Sequence, residues 1–154
     1  MLSFSKRHFA KHSAQVAADE VNVSRGGTLA GSGRAVHGYD VVAYFKSGIA
    51  TPGSDKFAVA YRGATYRFAS QANLDAFLAD SDRYTPAFGG YCAFGAALGK
   101  KFDGDPQVWK IVGDRLYLNL NSDIAAEWGK DIPGNIVKAE TNWAKIRATA
   151  VNLL

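Results

Sequence analysis

Two strand–turn–strand patterns constrain the fold of this chain more than any other feature. The first joins residues 57–61 to residues 65–68 across Arg62-Gly63-Ala64. The second joins residues 108–112 to residues 116–119 across a turn at Gly113-Asp114. Short runs of β-branched and aromatic residues that flank a tight glycine-containing turn are typical of β-hairpins. The two hairpins are therefore expected to form a small antiparallel sheet.

Helical patterns surround the first hairpin. Asp40 precedes an apolar stretch at 41–45, and Ser70 precedes a segment at 74–78 whose apolar residues share one helical face. Aspartate and serine are favoured at the N-cap of a helix, because their side-chain oxygens accept from the free N–H groups of the first turn. Both positions therefore predict a helix start.

Three further helical segments follow later in the chain. Residues 91–98 are apolar and predict a short buried helix, and residues 124–128 and 136–146 have helical spacing. Pro133-Gly134 is expected to separate the last two helices. The predicted fold class is α+β: a small antiparallel sheet from two β-hairpins, flanked by helices, in a single domain.

The aromatic content is large enough for one domain core. The chain has 154 residues, about the size of one domain, and contains nine Phe, seven Tyr and three Trp. The aromatic residues expected in the core are Phe57, Tyr66, Phe68, Phe77, Tyr84, Phe88, Trp109, Tyr117, Trp128 and Trp143.

The charge distribution argues against nucleic-acid binding. The formal net charge is +4, but Lys6, Arg7 and Lys11 lie in an acid-free segment at 1–18, so the remainder is nearly neutral. A nucleic-acid-binding domain would carry a basic stripe on its folded body. No stretch approaches the ~20 apolar residues that span a bilayer, so no membrane span is expected.

The N-terminal part is predicted to be separate from the folded domain. Residues 1–35 are interpreted as a basic tail with a Gly/Ser-rich linker, and residues 36–150 as the domain. Residues 1–18 lack the apolar run of a secretory signal, whereas a basic, serine-containing and acid-poor segment is typical of an organelle transit peptide. A solvated cytoplasmic tail is the alternative, and the compartment is left open.

Several separated motifs resemble one known family. They are residues 38–45 (Gly-Tyr-Asp-Val-Val-Ala-Tyr-Phe), 61–70, 88–93 (Phe-Gly-Gly-Tyr-Cys-Ala), 101–106, 109–111, 116–119 and 131–135. Together they resemble stand-alone bacterial proteins of the YHS-domain family over about residues 36–147. The resemblance implies a metal-binding module, with copper, zinc or iron as the candidate ions, and suggests a bacterial periplasmic location. In this chain the central motif contains no cysteine, and no histidine follows His37.

Cys92 is the first candidate for chemistry. It is the single cysteine, so an intramolecular disulfide and a Cys-x-x-Cys pair are excluded. It follows Gly89-Gly90 at the start of a predicted helix, where the helix N-terminus lowers a thiol pKa. A thiolate there could bind a metal or attack an electrophile. The alternative is a buried structural cysteine.

The opening motif supplies three further ligand candidates, Tyr39, Asp40 and Tyr44. Asp40 could be a metal ligand, so the predicted metal set is Cys92 with Asp40. Asp40 could instead serve only as a helix cap. The tyrosine rings are expected to pack, with their hydroxyls at the core edge.

The remaining acidic and histidine residues are weaker candidates. Asp103 and Asp105 stand two apart, which suggests a Ca²⁺ ligand pair, but the spacing of the following residues does not fit an EF-hand loop. A turn capped by Asp105 is the preferred interpretation. His8 and His12 could share a helical face in the tail, and His37 is expected at the surface.

These observations rank three functions. The first is a non-enzymatic binding module for a metal ion or small ligand, with no catalytic residue assigned. The second is a structural or interaction subunit with a protein partner. The third is a thiol-dependent enzyme or redox sensor that uses Cys92. The sequence contains no Walker A loop, dinucleotide-binding loop or nucleophile elbow.

Overall fold

The computed structural model describes residues 19–24 and 33–154. The predictions for the tail at 1–18, including His8 and His12, lie outside the described residues. So does most of the Gly/Ser-rich segment. Two strands do precede Val36: β1 at Val23–Ser24 and β2 at Arg34–Ala35. The division of the chain at Val36 stays a prediction, but these strands pair with the sheet that follows it.

Strands β3 (Ser54–Tyr61) and β4 (Ala64–Phe68) form the first predicted hairpin. Its turn residues Arg62 and Gly63 have φ of 48° and 82°. Two left-handed residues in a row match the right-handed twist of the flanking strands, which is why a glycine-containing turn is used here. Strand β2 pairs in parallel with β4, so the sheet has the order β1-β2-β4-β3.

Strands β5 (Asp105–Val112) and β6 (Arg115–Asn119) form the second predicted hairpin, with the turn at Gly113 and Asp114. This hairpin is a separate two-stranded sheet. The prediction that both hairpins share one sheet is therefore wrong, although the α+β class is confirmed. The first sheet takes its extra strands from the N-terminal segment instead.

The helices are α1 (Val41–Lys46), α2 (Gln71–Ala79), α3 (Ser81–Tyr84), α4 (Ala93–Ala97), α5 (Ser122–Gly129) and α6 (Ile132–Ile146). Asp40 and Ser70 accept from backbone N–H groups at the starts of α1 and α2, as predicted. Pro133 and Gly134 do not separate two helices. They lie in the first turn of α6, where a proline has no intrahelical N–H to lose.

The core has two parts. One lies between the first sheet and helices α1 and α2, around Tyr44, Phe68 and Phe77. The other lies around α4, α5 and α6 and includes Tyr117 and Trp128. Most of the predicted core aromatics are buried, but Phe57, Trp109 and Trp143 are only half-buried. Trp109 and Trp143 each line a surface cavity.

Candidate functional site

Asp40 is a buried hydrogen-bond hub. Its Oδ1 accepts from the backbone N–H groups of Val42 at 2.8 Å and Ala43 at 3.1 Å. Its Oδ2 accepts from the backbone N–H of Ala69 and the side-chain amide of Asn73, both at 2.8 Å. Four donors occupy the carboxylate, which is fully buried. Asp40 therefore caps α1 and ties it to the junction between β4 and α2.

Tyr39 and Tyr44 both reach the start of β5. The Tyr44 hydroxyl donates to the Pro106 carbonyl at 2.8 Å, and the Tyr39 hydroxyl accepts from the Gln107 side-chain amide at 3.1 Å. Burial raises the pKa of Tyr44 well above its usual value. Its hydroxyl therefore stays protonated and serves to hold the second hairpin against α1.

Cys92 is fully buried at the N-cap of α4. Its Sγ lies 3.4 Å from the side-chain oxygen of Asn119, to which it donates, and accepts from the Gly95 N–H at 3.4 Å. Burial raises the pKa of this thiol, although N–H groups at the helix start oppose the rise. The expectation of a helix-lowered thiol pKa is therefore wrong, because desolvation outweighs the helix terminus.

The surroundings of Asp40 and Cys92 do not fit a metal centre. The Asp40 oxygens are occupied by four N–H donors, and the Cys92 thiol is engaged with Asn119 and Gly95. Within residues 19–24 and 33–154, no group of three or more His, Cys, Asp or Glu side chains could hold a metal ion. The structure places the two residues in different hydrogen-bond networks.

A groove with an aromatic floor lies on another face of the molecule. Two adjoining cavities of about 110 and 470 Å³ share four lining residues. We call this feature the arginine groove and define it by Tyr66, Phe88, Arg115, Tyr117, Trp143 and Arg147. It brings together β4, β6, α6 and the 3₁₀ turn at Ala87–Gly90.

The polar groups of the arginine groove are mainly donors. Tyr66 and Tyr117 are 3% and 7% exposed, and neither hydroxyl bonds to another described residue. Burial raises the pKa of both tyrosines, so both hydroxyls keep their protons near neutral pH. The Arg115 guanidinium donates to the Asp82 carbonyl at 3.2 Å and makes no ion pair within the described part of the chain.

The net charge of the groove is positive. Arg62 is its third arginine, and two glutamates, Glu20 and Glu140, also line it. Glu20 accepts from Arg147 at 3.2 Å, and Arg62 lies 3.3 Å from Asp82. Within the described residues, Arg115 and Glu140 are therefore the charged residues of the groove that have no ion pair.

One comparison with known proteins gives a match. Residues 42–87 match the family model of the YHS domain. The chain contains a YHS domain. No curated protein and no solved structure matches the chain.

The YHS domain match spans α1 to the turn at Ala87–Gly90, and thus includes Tyr44 and Tyr66 but neither Asp40 nor Cys92. It covers strands β3 and β4 of the first sheet, the helices α1 to α3 and one wall of the arginine groove. Among the described residues, no helix has the length and apolar character needed to cross a membrane.

A histidine–carboxylate pair beside the YHS domain escaped the sequence analysis. His37 Nε2 lies 2.9 and 3.0 Å from the two oxygens of Asp103, and the Asn22 amide donates to Asp103 at 2.7 Å. The hydrogen bond to Asp103 raises the pKa of His37. His37 is therefore not a simple surface residue, and Asp103 is not a member of a calcium-type pair with Asp105.

Lys101 is a buried cation, 3% exposed, that sequence reasoning also missed. Its Nζ donates to the carbonyls of Asp19, Arg147 and Thr149 at 2.7, 2.9 and 2.8 Å. It also lies 5.1 Å from the ring centroid of Trp143. Burial lowers the pKa of Lys101 to about 8. The local sequence, Gly-Lys-Lys-Phe, gives no signal that separates Lys101 from its exposed neighbour Lys100.

Proposed function

We propose that this protein is a non-enzymatic binding module that holds a small organic anion in the arginine groove. The carrying observation is that Tyr66 and Tyr117, two nearly buried residues whose hydroxyls bond to no other described residue, line a groove beside Arg115. Both hydroxyls are accessible to solvent, so water or a ligand can bond to them. A ligand with acceptor oxygens would supply partners for them.

The composition of the groove favours a ligand that combines an anionic group with an apolar body. Phe88 and Trp143 offer ring surfaces, while Arg115 offers a planar fork that matches carboxylate or phosphate geometry. The wider cavity, about 470 Å³, lies in the range of small-molecule sites. The ligand class is therefore an aromatic or alicyclic carboxylate or phosphate ester.

The contacts of Asp40 and Cys92, the two predicted metal ligands, favour a small ligand over a metal ion. Asp40 and Cys92 are buried and engaged by N–H donors or by Asn119. A metal ion would have to replace these bonds inside the core. The unmatched donors of the groove need no such rearrangement, and they attract an anion rather than a cation.

The test is a titration of the full chain with benzoate, phenylphosphate and cyclohexanecarboxylate, followed by amide NMR. The chain has three tryptophans, so three indole N–H signals report on binding, and the Trp143 signal reports on the groove. We expect this signal to shift with at least one of the acids and not with benzylamine. Elemental analysis of protein purified without chelators should find no stoichiometric transition metal.

Arg115→Gln is the variant that tests the assignment. Loss of a charge-assisted hydrogen bond should weaken binding about tenfold or more. Arg83→Gln is the matched control, because Arg83 is an exposed arginine paired with Asp114 and does not line the groove. The proposal is contradicted if no acid moves the Trp143 signal, if both arginine variants bind equally, or if the purified protein carries a stoichiometric metal.

Two alternative functions have less support. A thiol-dependent enzyme requires an accessible, readily ionised Cys92, and this thiol is buried with a raised pKa. The interaction subunit stays a prediction, for which no surface of the described residues provides a specific argument.

A further inference from the structure

A second cavity lies between the second hairpin and helix α5. Its volume is about 340 Å³, and it shares no lining residue with the arginine groove. We call it the hairpin cleft and define it by Trp109, Lys110, Asn119, Ala126 and Trp128. Two indole rings and the alanines of α5 give it an apolar wall.

Trp128 provides the first observation that points to a ligand. Its side chain is 2% exposed, and its Nε1 has no hydrogen-bond partner among the residues that the structure describes. A buried indole N–H usually finds an acceptor, because a buried donor left unpaired has lost its bonds to water without replacement. Trp128 lines the cleft, but its Nε1 is closed to solvent, so a bound molecule would have to shift the indole ring slightly to place an acceptor against this N–H group.

Asn119 provides the second sign, independently of Trp128. This side chain is 3% exposed, and its Oδ1 accepts from the Phe94 backbone N–H at 3.1 Å and from the Cys92 thiol at 3.4 Å. A backbone N–H can only donate, so the atom facing Phe94 must be the amide oxygen. The NH₂ end therefore faces away from α4, and it bonds to no described residue. Asn119 also lines the cleft.

Two side chains that line the hairpin cleft, Trp128 and Asn119, thus carry N–H groups without an acceptor among the described residues. The exposed ammonium group of Lys110 adds a positive charge at its edge. We propose that the hairpin cleft is a second ligand site, which takes a small carboxylate or carbonyl compound with a flat apolar body between Trp109 and Trp128.

The test is a benzoate titration of the full chain, with benzamide as a neutral acceptor and benzylamine as a donor-only control. Carboxylate binding should move the Trp128 indole N–H signal downfield as it gains an acceptor, and benzylamine should not. Trp128→Phe keeps an aromatic ring but removes the N–H, and should weaken benzoate binding at the cleft about tenfold, read from the Trp109 signal.

A second variant protects the test against a folding defect at Trp128. Ala126 is exposed on α5 and lines the cleft, so Ala126→Phe should fill the space without disturbing the core and should abolish the Trp128 shift. Trp143→Phe alters a residue of the arginine groove that does not line the cleft, and should leave the Trp128 shift unchanged. The inference is overturned if neither benzoate nor benzamide moves the Trp128 signal, if only the Trp143 signal moves, or if Ala126→Phe binds like the parent chain.

Discussion

The imidazole of His37 donates from Nε2 to the carboxylate of Asp103, at 2.9 Å from one oxygen and 3.0 Å from the other. The two residues are 66 positions apart, and the pair joins the 3₁₀ turn before α1 to the segment that leads into β5. The side chains are 23% and 37% exposed. The pair therefore couples the N-terminal edge of the YHS domain to the second hairpin.

This pair predicts a pH-dependent stability. The hydrogen bond to Asp103 raises the pKa of His37 above 6.5, so the histidine contribution is complete below about pH 6.5 and is lost as pH rises through the folded value. Although burial acts to raise the pKa of Asp103, hydrogen bonds from His37 and Asn22 lower it below 3.8. The Asp103 contribution is therefore present above about pH 4 and is lost as pH falls through the folded value.

The measurement is urea unfolding of the parent chain and His37→Gln across this range. The difference in free energy of unfolding should be largest between about pH 4 and 6.5, amount to about 1 kcal/mol for a partly exposed pair, and shrink towards pH 8. Asp114→Asn, which breaks the exposed pair with Arg83, should show no such loss between pH 6 and 8. A difference that is constant across the whole range would contradict a titrating role for His37.

The Cys92 thiol should be unreactive towards alkylating reagents in the folded protein. Cys92 is fully buried, and burial raises the pKa of its thiol, so the reactive thiolate is scarce and inaccessible. Iodoacetamide at neutral pH should add no mass to the native chain and one adduct to the chain unfolded in urea. Rapid labelling of the native chain would instead favour the thiol-dependent enzyme or redox sensor.

The parts of the fold that the sequence predicts depend on local interactions. The turn at Arg62 and Gly63 and the caps Asp40 and Ser70 act within a few residues of themselves, so their patterns are visible in the sequence. Properties that depend on packing are not visible in such local patterns. Cys92 shows why: the helix start acts locally to lower its pKa, but the surrounding core outweighs it.

The parts that the sequence does not predict depend on contacts between distant segments. Strand β2 pairs with β4 across 31 positions, from Arg34 to Thr65, and no pattern in a two-residue strand indicates this partner. The tyrosines of the arginine groove were predicted only as core residues. Burial of Tyr66 and Tyr117 is readable from hydrophobic pattern, but the absence of a partner for their hydroxyls becomes visible only when the neighbouring elements are placed.

Asp40 should be far more important for stability than an ordinary helix cap. Asp40→Ala would leave four buried or half-buried donors without an acceptor, and we expect a loss of about 3 kcal/mol or more in free energy of unfolding. Asp131 is the matched control, because it caps the exposed start of α6 and accepts only from the Gly134 N–H. Asp131→Ala should cost about 1 kcal/mol.

Urea unfolding of both variants decides the role of Asp40. Asp40→Asn refines the result, since it keeps one acceptor oxygen but turns an NH₂ group towards N–H donors, and it should be intermediate. Equal losses for Asp40→Ala and Asp131→Ala would show that Asp40 acts only as a local cap. A gain in stability for Asp40→Asn would contradict the four-donor arrangement.

Lys101 should fasten the two ends of the described chain to the body. Its ammonium group binds the carbonyls of Asp19 on one side and of Arg147 and Thr149 on the other. Lys101→Met keeps the apolar stem but leaves all three carbonyls without this donor, and should cost about 1–3 kcal/mol. The loss should be local, because the three carbonyls that share this donor belong to the two segments.

Amide hydrogen exchange can detect this loosening directly. The Asn22 N–H donates to the Gly89 carbonyl, and the Val151 N–H donates to the Asp19 carboxylate. Both amides should exchange faster in Lys101→Met, while amides of β3 and β4 keep their protection. Lys100→Met is the control, since Lys100 is the exposed neighbour. If the exchange rates at Asn22 and Val151 are the same in both lysine variants, Lys101 does not hold these segments. If the exchange rates rise only in Lys101→Met, the wall of the arginine groove that contains Glu20 depends on this buried cation.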